Sequence, residues 1–150
     1  MELNEEILIP APRDRVYAAL NDPQVLQACI PGCEELIKHS DTELEAKVVL
    51  KIGPVKARFS GAVTLNPENP PERFSLTGQG NGGAAGFAKG GAEVTLTEEA
   101  GGTRLVYEAK AEIGGKLAQL GSRLVQATAK KLAAKFFDSF AEEVQRTEAA

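Results

Sequence analysis

The fold is decided by residues 116–145, KLAQLGSRLVQATAKKLAAKFFDSFAEEVQ, which carry the longest helical pattern in the chain. Apolar or small residues recur there at helical spacing, first as one stripe and then as a second that has moved around the helix. The first stripe is Leu117, Leu120, Gly121, Leu124 and Thr128, and the second is Leu132, Phe136, Phe140 and Val144. We therefore predict one long helix whose two ends pack on different surfaces.

Most of the chain before this helix alternates apolar and polar residues one by one, which is typical of antiparallel strands with one solvated face. The clearest case is residues 44–65, where two alternating runs flank a turn at Gly53-Pro54. Further strand patterns occupy residues 73–79, 92–99 and 103–113, and the stretch NPENPP at 66–71 is predicted to be a loop.

The amino-terminal part begins with a strand pattern at residues 3–9, followed by two short helical patterns at 11–22 and 23–30. The predicted order is thus a strand, two short helices, about six meandering strands and the long helix. An antiparallel sheet must bury its apolar face, and only the long helix can cover it. We expect a single α+β domain over residues 1–150, with the sheet curled around that helix.

Composition and charge exclude several classes of protein. With a net charge of -4, the chain lacks the excess of positive charge that is typical of nucleic-acid-binding proteins. The amino terminus lacks the apolar stretch of a signal peptide. Cys29 and Cys33, with the single histidine His39, cannot supply a zinc site. We expect a cytoplasmic protein that binds neither nucleic acid nor a metal and that carries no cofactor.

The glycine-rich stretch GQGNGGAAGFAKGGAEVTL, residues 78–96, contains the G-x-G-x-x-G spacing at Gly78–Gly83. That spacing binds a dinucleotide only where a strand precedes it and a helix follows. Here a strand pattern follows instead, and Lys89 is succeeded by glycine, so the stretch is not a P-loop either. We predict a wide turn with bulges and bends in a curved pair of strands.

The inward positions of the predicted strands mix large side chains with unusually small ones. Small residues facing a helix leave space that protein interiors do not normally contain, unless the sheet curls closer and fills it. We predict a ligand cavity between sheet and helix. The candidate ligand-binding residues are Phe59, Phe74, Leu76, Phe87, Leu96 and Tyr107 from the strands, Leu117, Leu120 and Leu124 from the helix, and Cys29.

No pair of carboxylates, no histidine and no hydroxyl-base couple lies at an inward position, so no catalytic residue is predicted. Tyr107 is the main polar group among the inward positions. Basic residues of the long helix lie near its phenylalanines, and they form either a contact for anionic lipid headgroups or a solvated face. These are Lys116, Arg123, Lys130, Lys131 and Lys135.

Three stretches together resemble one known family: CIPGCEEL at 29–36, GFAKGGAEVTL at 86–96 and GGKLAQLGSRLVQATAKKLAAKFFDSF at 114–140. The sequence is similar, from Met1 to about Val144, to the CoxG family of carbon monoxide dehydrogenase subunits, within the SRPBCC (START-like, helix-grip) superfamily. The resemblance implies a seven-stranded antiparallel sheet around a long carboxy-terminal helix, with two short helices after the first strand and an apolar cavity.

The same resemblance implies a function. Superfamily members bind lipids, sterols, polyketides and other hydrophobic ligands, and some are cyclases or hydrolases. The resemblance to CoxG proteins implies an accessory factor of a molybdenum-containing carbon monoxide dehydrogenase, linked to recruitment of the enzyme to the membrane. Many carry a carboxy-terminal extension, whereas this sequence ends at EEVQRTEAA, so an anchoring role through such a tail is not expected.

These points lead to one expectation and two alternatives. We expect a non-enzymatic protein that carries a quinone- or lipid-like molecule, with the dehydrogenase or its maturation proteins as candidate partners and with transient contact at the inner face of the membrane. The alternatives are an assembly or recruitment factor without a ligand, and an enzyme of the cyclase or hydrolase type.

Overall fold

The computed structural model describes residues 1–149, with side chains described through Arg146. A single turn of 3₁₀ helix, Gly83–Ala85, connects the fifth and sixth strands. The strands and helices are β1 (Glu2–Ile9), α1 (Arg13–Leu20), α2 (Pro23–Cys29), β2 (Cys33–Lys38), β3 (Glu43–Ile52), β4 (Val55–Asn69), β5 (Arg73–Asn81), β6 (Phe87–Glu99), β7 (Gly102–Gly114), α3 (Lys116–Gln119) and α4 (Ser122–Ala149).

The strands form one antiparallel sheet in the order β1-β7-β6-β5-β4-β3-β2. The alternation of the sequence sets its two faces, because neighbouring residues of a strand point to opposite sides. In the β3–β4 pair, for example, Val48 faces Phe59 on the inner side, and Lys47 faces Ser60 on the outer side. The predicted α+β helix-grip architecture is confirmed, with its seven strands, two early short helices and long final helix.

The long helix differs from the prediction because it is interrupted at Gly121. This glycine has a φ of 94°, a left-handed conformation that glycine adopts without strain, and it separates α3 from α4. The break separates Leu117 of α3 from the apolar residues of α4. The cavity-facing side of α4 starts at Val125 and continues through Thr128 and Leu132, whereas Leu124 lies outside the lining.

The strands differ from the prediction in two places. Residues 66–69 extend β4, with a register irregularity between Asn66 and Asn69, so the predicted loop at 66–71 is wrong for that part. Strand β2 is absent from the predicted elements. Its register shifts between Cys33 and Glu35, which breaks the alternation that would mark it as a strand.

Two separate apolar clusters hold the helices against the sheet. The main cluster lies under the carboxy-terminal half of α4 and includes Phe140 and Val144 together with Ile9, Leu96 and Leu105. The second cluster lies at the other end of the sheet, where Leu117 of α3 packs with Phe59 and Ala85. The long helical region is therefore fixed at both ends, and its middle spans the centre of the sheet.

Candidate ligand-binding cavity

A cavity of about 570 Å³ lies between the centre of the sheet and α4. Small-molecule sites in proteins have volumes of roughly 300–1,000 Å³, so this cavity has the size of a binding site and exceeds an ordinary packing defect. It adjoins both apolar clusters, since Leu76 lies against the main cluster and Phe59 belongs to the second.

The cavity exists because the middle of the sheet presents almost no side-chain volume. Glycine and alanine pair with one another across four neighbouring strands at this point. Since none of these residues reaches far from the backbone, α4 and the sheet cannot close the space between them. We call this surface the small-residue floor, and it comprises Gly61, Gly78, Gly80, Ala88, Gly90, Ala92, Ala109 and Ala111.

Two glycines of the floor are there for different physical reasons. A Cβ atom at Gly90 would overlap the carbonyl oxygen of Lys110, so the close approach of β6 and β7 requires glycine there. A Cβ atom at Gly80 would meet no atom within 4 Å. The φ of Gly80 is also not positive, so its backbone conformation suits any residue. The backbone would tolerate a side chain at Gly80, and that side chain would enter the cavity.

One wall of the cavity comes from the segment CIPGC, through Ile30 and Pro31. Asp22 caps the start of α2, the helix before this segment, by accepting a hydrogen bond of 2.9 Å from the Gln24 amide. Within the segment, Gly32 has a φ of 75°. The Val49 amide donates a 2.9 Å hydrogen bond to the Gly32 carbonyl. This bond holds the segment against β3 and fixes the wall.

The lining of the cavity is apolar. In the described part of the chain, the lining residues with polar side chains are Gln79, Lys89, Lys110 and Thr128. The first three alternate with floor residues that face inward, so their own side chains point to the outer face and their backbone forms the lining. The Thr128 hydroxyl donates a 2.8 Å hydrogen bond to the Leu124 carbonyl within α4. Met1 also lines the cavity, and its terminal ammonium donates a 2.9 Å hydrogen bond to the Ala111 carbonyl. The cavity can therefore hold an apolar molecule, and no side-chain acid, base or nucleophile of the described lining faces into it.

Three of the ten predicted ligand-binding residues line this cavity: Phe59, Leu76 and Leu117. Another five are packed in the apolar clusters. Phe74, Leu96, Tyr107 and Cys29 belong to the main cluster, and Leu120 packs against the second.

The remaining two, Phe87 and Leu124, are 43% and 37% exposed. The inner face of β6 carries Ala88, so the adjacent Phe87 points to the outer face, where its ring covers Gly114. The sequence pattern places Phe87 inward because the surrounding glycines have no side chains that show the phase. Leu124 lies in the first turn of α4, outside the cavity lining, where its side chain would be 3.0 Å from a Cβ atom at Gly53 in the β3–β4 turn.

Sequence reasoning missed several wall residues whose signal was present. Val48, Leu50, Ile52 and Val63 occupy the inward positions of the alternating run 44–65. Val125 and Ala129 precede Leu132 by seven and three positions, so they extend the second apolar stripe back to the break. Extending the helical spacing back from Leu132 would have identified both Val125 and Ala129.

Tyr107 is the most buried polar group near the cavity, although it does not line it. Its ring stacks on Phe137 with a centroid separation of 5.6 Å, and it faces Glu5 in the β1–β7 register. Burial and, secondarily, the charge of Glu5 raise the pKa of Tyr107 to about 12. The phenol is therefore neutral at physiological pH and serves packing.

The two cysteines are free thiols, Cys29 buried and Cys33 partly exposed. Burial raises the pKa of both thiols, and the charge of Glu143 raises that of Cys29 further. Within the described residues no group of histidine, cysteine, aspartate and glutamate side chains could hold a metal ion.

The raised pKa values lead to a prediction about thiol reactivity. The thiolate is the reactive form, so a higher pKa leaves less of it at neutral pH, and reactivity grows only as pH rises toward the pKa. We expect a thiol reagent such as DTNB to modify Cys33 slowly and Cys29 only after unfolding. Cys29→Ser and Cys33→Ser variants assign the two phases. Two fast-reacting thiols in the native protein at neutral pH would contradict this expectation.

Solved structures resemble this fold along nearly the full chain. A conserved protein from Geobacillus kaustophilus is 29% identical, with a TM-score of 0.91 and coverage of 98% of this chain and 97% of its own. A START superfamily protein from Mycobacterium smegmatis is 11% identical, with a TM-score of 0.75 and coverage of 97% and 98%. An aromatase/cyclase from Streptomyces sp. R1128 is 12% identical, with a TM-score of 0.72 and coverage of 97% and 94%.

The last two similarities establish the fold alone, because their sequence identity is low. No curated protein matches the sequence. Among the described residues, no helix has the length and apolar character needed to cross a membrane. The family of the carbon monoxide dehydrogenase subunit CoxG matches residues 6–145, nearly the whole sequence. The chain belongs to the CoxG family of carbon monoxide dehydrogenase subunits.

Proposed function

We propose that this protein is a carrier that holds a quinone- or lipid-like molecule between its sheet and α4, without converting it, as an accessory of a molybdenum carbon monoxide dehydrogenase-type system. The observation that carries the proposal is the small-residue floor beneath a helix that is fixed at both ends. Membership of the CoxG family supports the link to the dehydrogenase.

The floor supports ligand binding because empty apolar space destabilises a protein. Each cubic ångström of cavity left by a missing side chain costs about 24 cal/mol in measured cases, and a natural core avoids such space. Here the space follows from glycine and alanine on four adjacent strands. A ligand that fills the cavity would restore the missing contacts and stabilise the folded state.

The lining favours a ligand that is recognised by shape and apolar contact. Among the described residues, the side chains that face the cavity offer no charged or hydrogen-bonding group besides the Thr128 hydroxyl, which is already engaged within α4. Quinones and lipids both have large apolar bodies, and both reside in the bilayer. Electrons from a carbon monoxide dehydrogenase must reach quinone in the membrane, so a carrier with this cavity could present quinone to the enzyme.

The test is native mass spectrometry of protein purified gently from a lysate that contains membranes, followed by solvent extraction of any bound molecule. We expect an added mass that extracts as a quinone or lipid and a higher thermal midpoint for the loaded protein. A mass of the chain alone, unchanged after incubation with quinones and lipids, would overturn the carrier proposal and favour an assembly or recruitment factor. A chemically altered molecule after incubation would favour an enzyme.

A further inference from the structure

Three connections meet at one end of the sheet. The β3–β4 turn touches the start of α4, since a Cβ atom at Gly53 would lie 3.0 Å from Leu124. The β5–β6 connection touches the residue before α3, since a Cβ atom at Gly115 would lie 2.6 Å from the Cα of Gly86. We call this surface, formed by residues 50–57, 81–87 and 113–124, the loop end.

The loop end also closes one end of the cavity. Leu117 of α3 is buried in the second cluster, and it lines the cavity together with Ile52 and Ile113. All three residues belong to the segments that form the loop end. A molecule bound in the cavity is therefore separated from solvent at this end by α3 and the neighbouring turns.

The charges of the loop end are all of one sign. Its segments contain Lys51, Lys56, Lys116 and Arg123 and no aspartate or glutamate, although the whole chain has a net charge of -4. All four side chains are exposed, and none forms an ion pair with a described residue.

Acidic residues on the adjoining strands do not neutralise these four charges. Glu2 pairs with Lys110 at 3.6 Å, and Glu112 faces Lys89 in the β6–β7 register. Lys51 and Lys56 lie directly opposite each other in the β3–β4 pair, an arrangement of like charges that destabilises a sheet. An anionic surface next to the turn would remove this repulsion.

Exposed apolar groups lie among these cations. Leu124 and Phe87 are 37% and 43% exposed, and Pro54 is exposed at the tip of the β3–β4 turn. Apolar side chains surrounded by lysine and arginine are typical of surfaces that bind the interface of an anionic bilayer. On α4, by contrast, Lys130, Lys131 and Lys135 are followed by acidic residues at 138, 142 and 143.

We propose that the loop end is the surface that contacts an anionic lipid bilayer, with its four cations at the headgroups and its exposed apolar side chains at the interface. This inference rests on the proposed carrier function. It places the closed end of the cavity against the membrane, so the ligand passes between bilayer and cavity beside α3.

The test is binding to phosphatidylcholine vesicles with and without phosphatidylglycerol. We expect binding to the anionic vesicles only, weakened by salt. Each lysine near an anionic surface contributes about fivefold in affinity, so Lys51→Gln/Lys56→Gln/Lys116→Gln should reduce binding by roughly 100-fold. The matched control, Lys130→Gln/Lys131→Gln/Lys135→Gln, changes the net charge equally and should reduce binding by at most about threefold.

Several outcomes would overturn the inference: equal losses in the two triple variants, no binding of the natural protein to anionic vesicles, or displacement by inorganic phosphate, which would indicate a site for a free anion. Loading with quinone from detergent solution separates this inference from the proposed function. The loop-end triple variant should load normally from detergent and slowly from anionic vesicles. Failure of the natural protein to load from detergent would instead refute the carrier function.

Discussion

Replacing Gly80 with leucine is expected to reduce the affinity for a quinone- or lipid-like ligand by at least about tenfold while increasing the stability of the free protein. The new side chain enters the cavity from the small-residue floor, where a Cβ atom would meet nothing within 4 Å. Burying a leucine side chain contributes about 1.5–3 kcal/mol, and a strand loses less conformational entropy when glycine is replaced. We expect the free energy of unfolding without ligand to rise by about 1–2 kcal/mol.

The combination of lost binding and gained stability distinguishes a blocked cavity from a damaged fold. The matched control is Thr77→Leu, because Thr77 lies on the same strand but is exposed on the outer face. Binding is measured by titration with a soluble quinone analogue, and stability by urea unfolding without ligand. If Gly80→Leu binds as tightly as the natural protein, the ligand occupies another site.

The architecture could be predicted from the sequence because both periodicities are strong and local. Alternation in residues 44–65 and 103–113 fixes which side chains face the helix, and the helical spacing after residue 115 identifies the only element long enough to cover the sheet. The interpretation of the glycine-rich stretch as two strands with a turn is confirmed, since β5 and β6 flank residues 82–86, but the predicted bulges are wrong for this pair, whose register runs without a shift from Arg73 to Asn81.

The details of the cavity were harder to predict because they depend on single glycines. Gly121 ends α3 and a new helix begins after it, so Leu124 lies in the first turn of α4 beside Gly53 and outside the cavity, although it shares a helical stripe with Thr128. Glycines around Phe87 hide the alternation of β6, since a residue without a side chain fits either face. Alternation of apolar and polar residues cannot show which positions face inward where the strand consists of glycine.

The division of the interior into two clusters could not be read from the sequence at all. Whether Phe74 or Leu76 faces a ligand depends on how far the main cluster extends along the sheet, and both are apolar inward residues of the same strand. The structure places Phe74 in the core, where it meets Tyr17 edge-on at 5.8 Å, and Leu76 on the cavity wall. This boundary follows from tertiary packing.

Replacing Phe140 with alanine is expected to lower the free energy of unfolding by about 3–5 kcal/mol, the range measured for buried phenylalanines. Its side chain is fully buried in the main cluster, and its ring stacks on Phe136 with centroids 5.7 Å apart. The ring belongs to the same cluster as Ile9 of β1, Leu96 of β6 and Leu105 of β7. Removing it leaves a cavity that the surrounding strands cannot close.

The matched control is Phe87→Ala, which removes the same ring from a position that is 43% exposed and should change stability by no more than about 1 kcal/mol. Urea unfolding measures both variants, and a loss below about 1 kcal/mol for Phe140→Ala would show that α4 does not depend on the main cluster. Phe140 does not line the ligand cavity, so the folded fraction of this variant should still bind ligand. Gly80→Leu should thus reduce binding and raise stability, whereas Phe140→Ala should lower stability and leave binding by the folded protein intact, as expected if separate residues form the cavity and hold the helix.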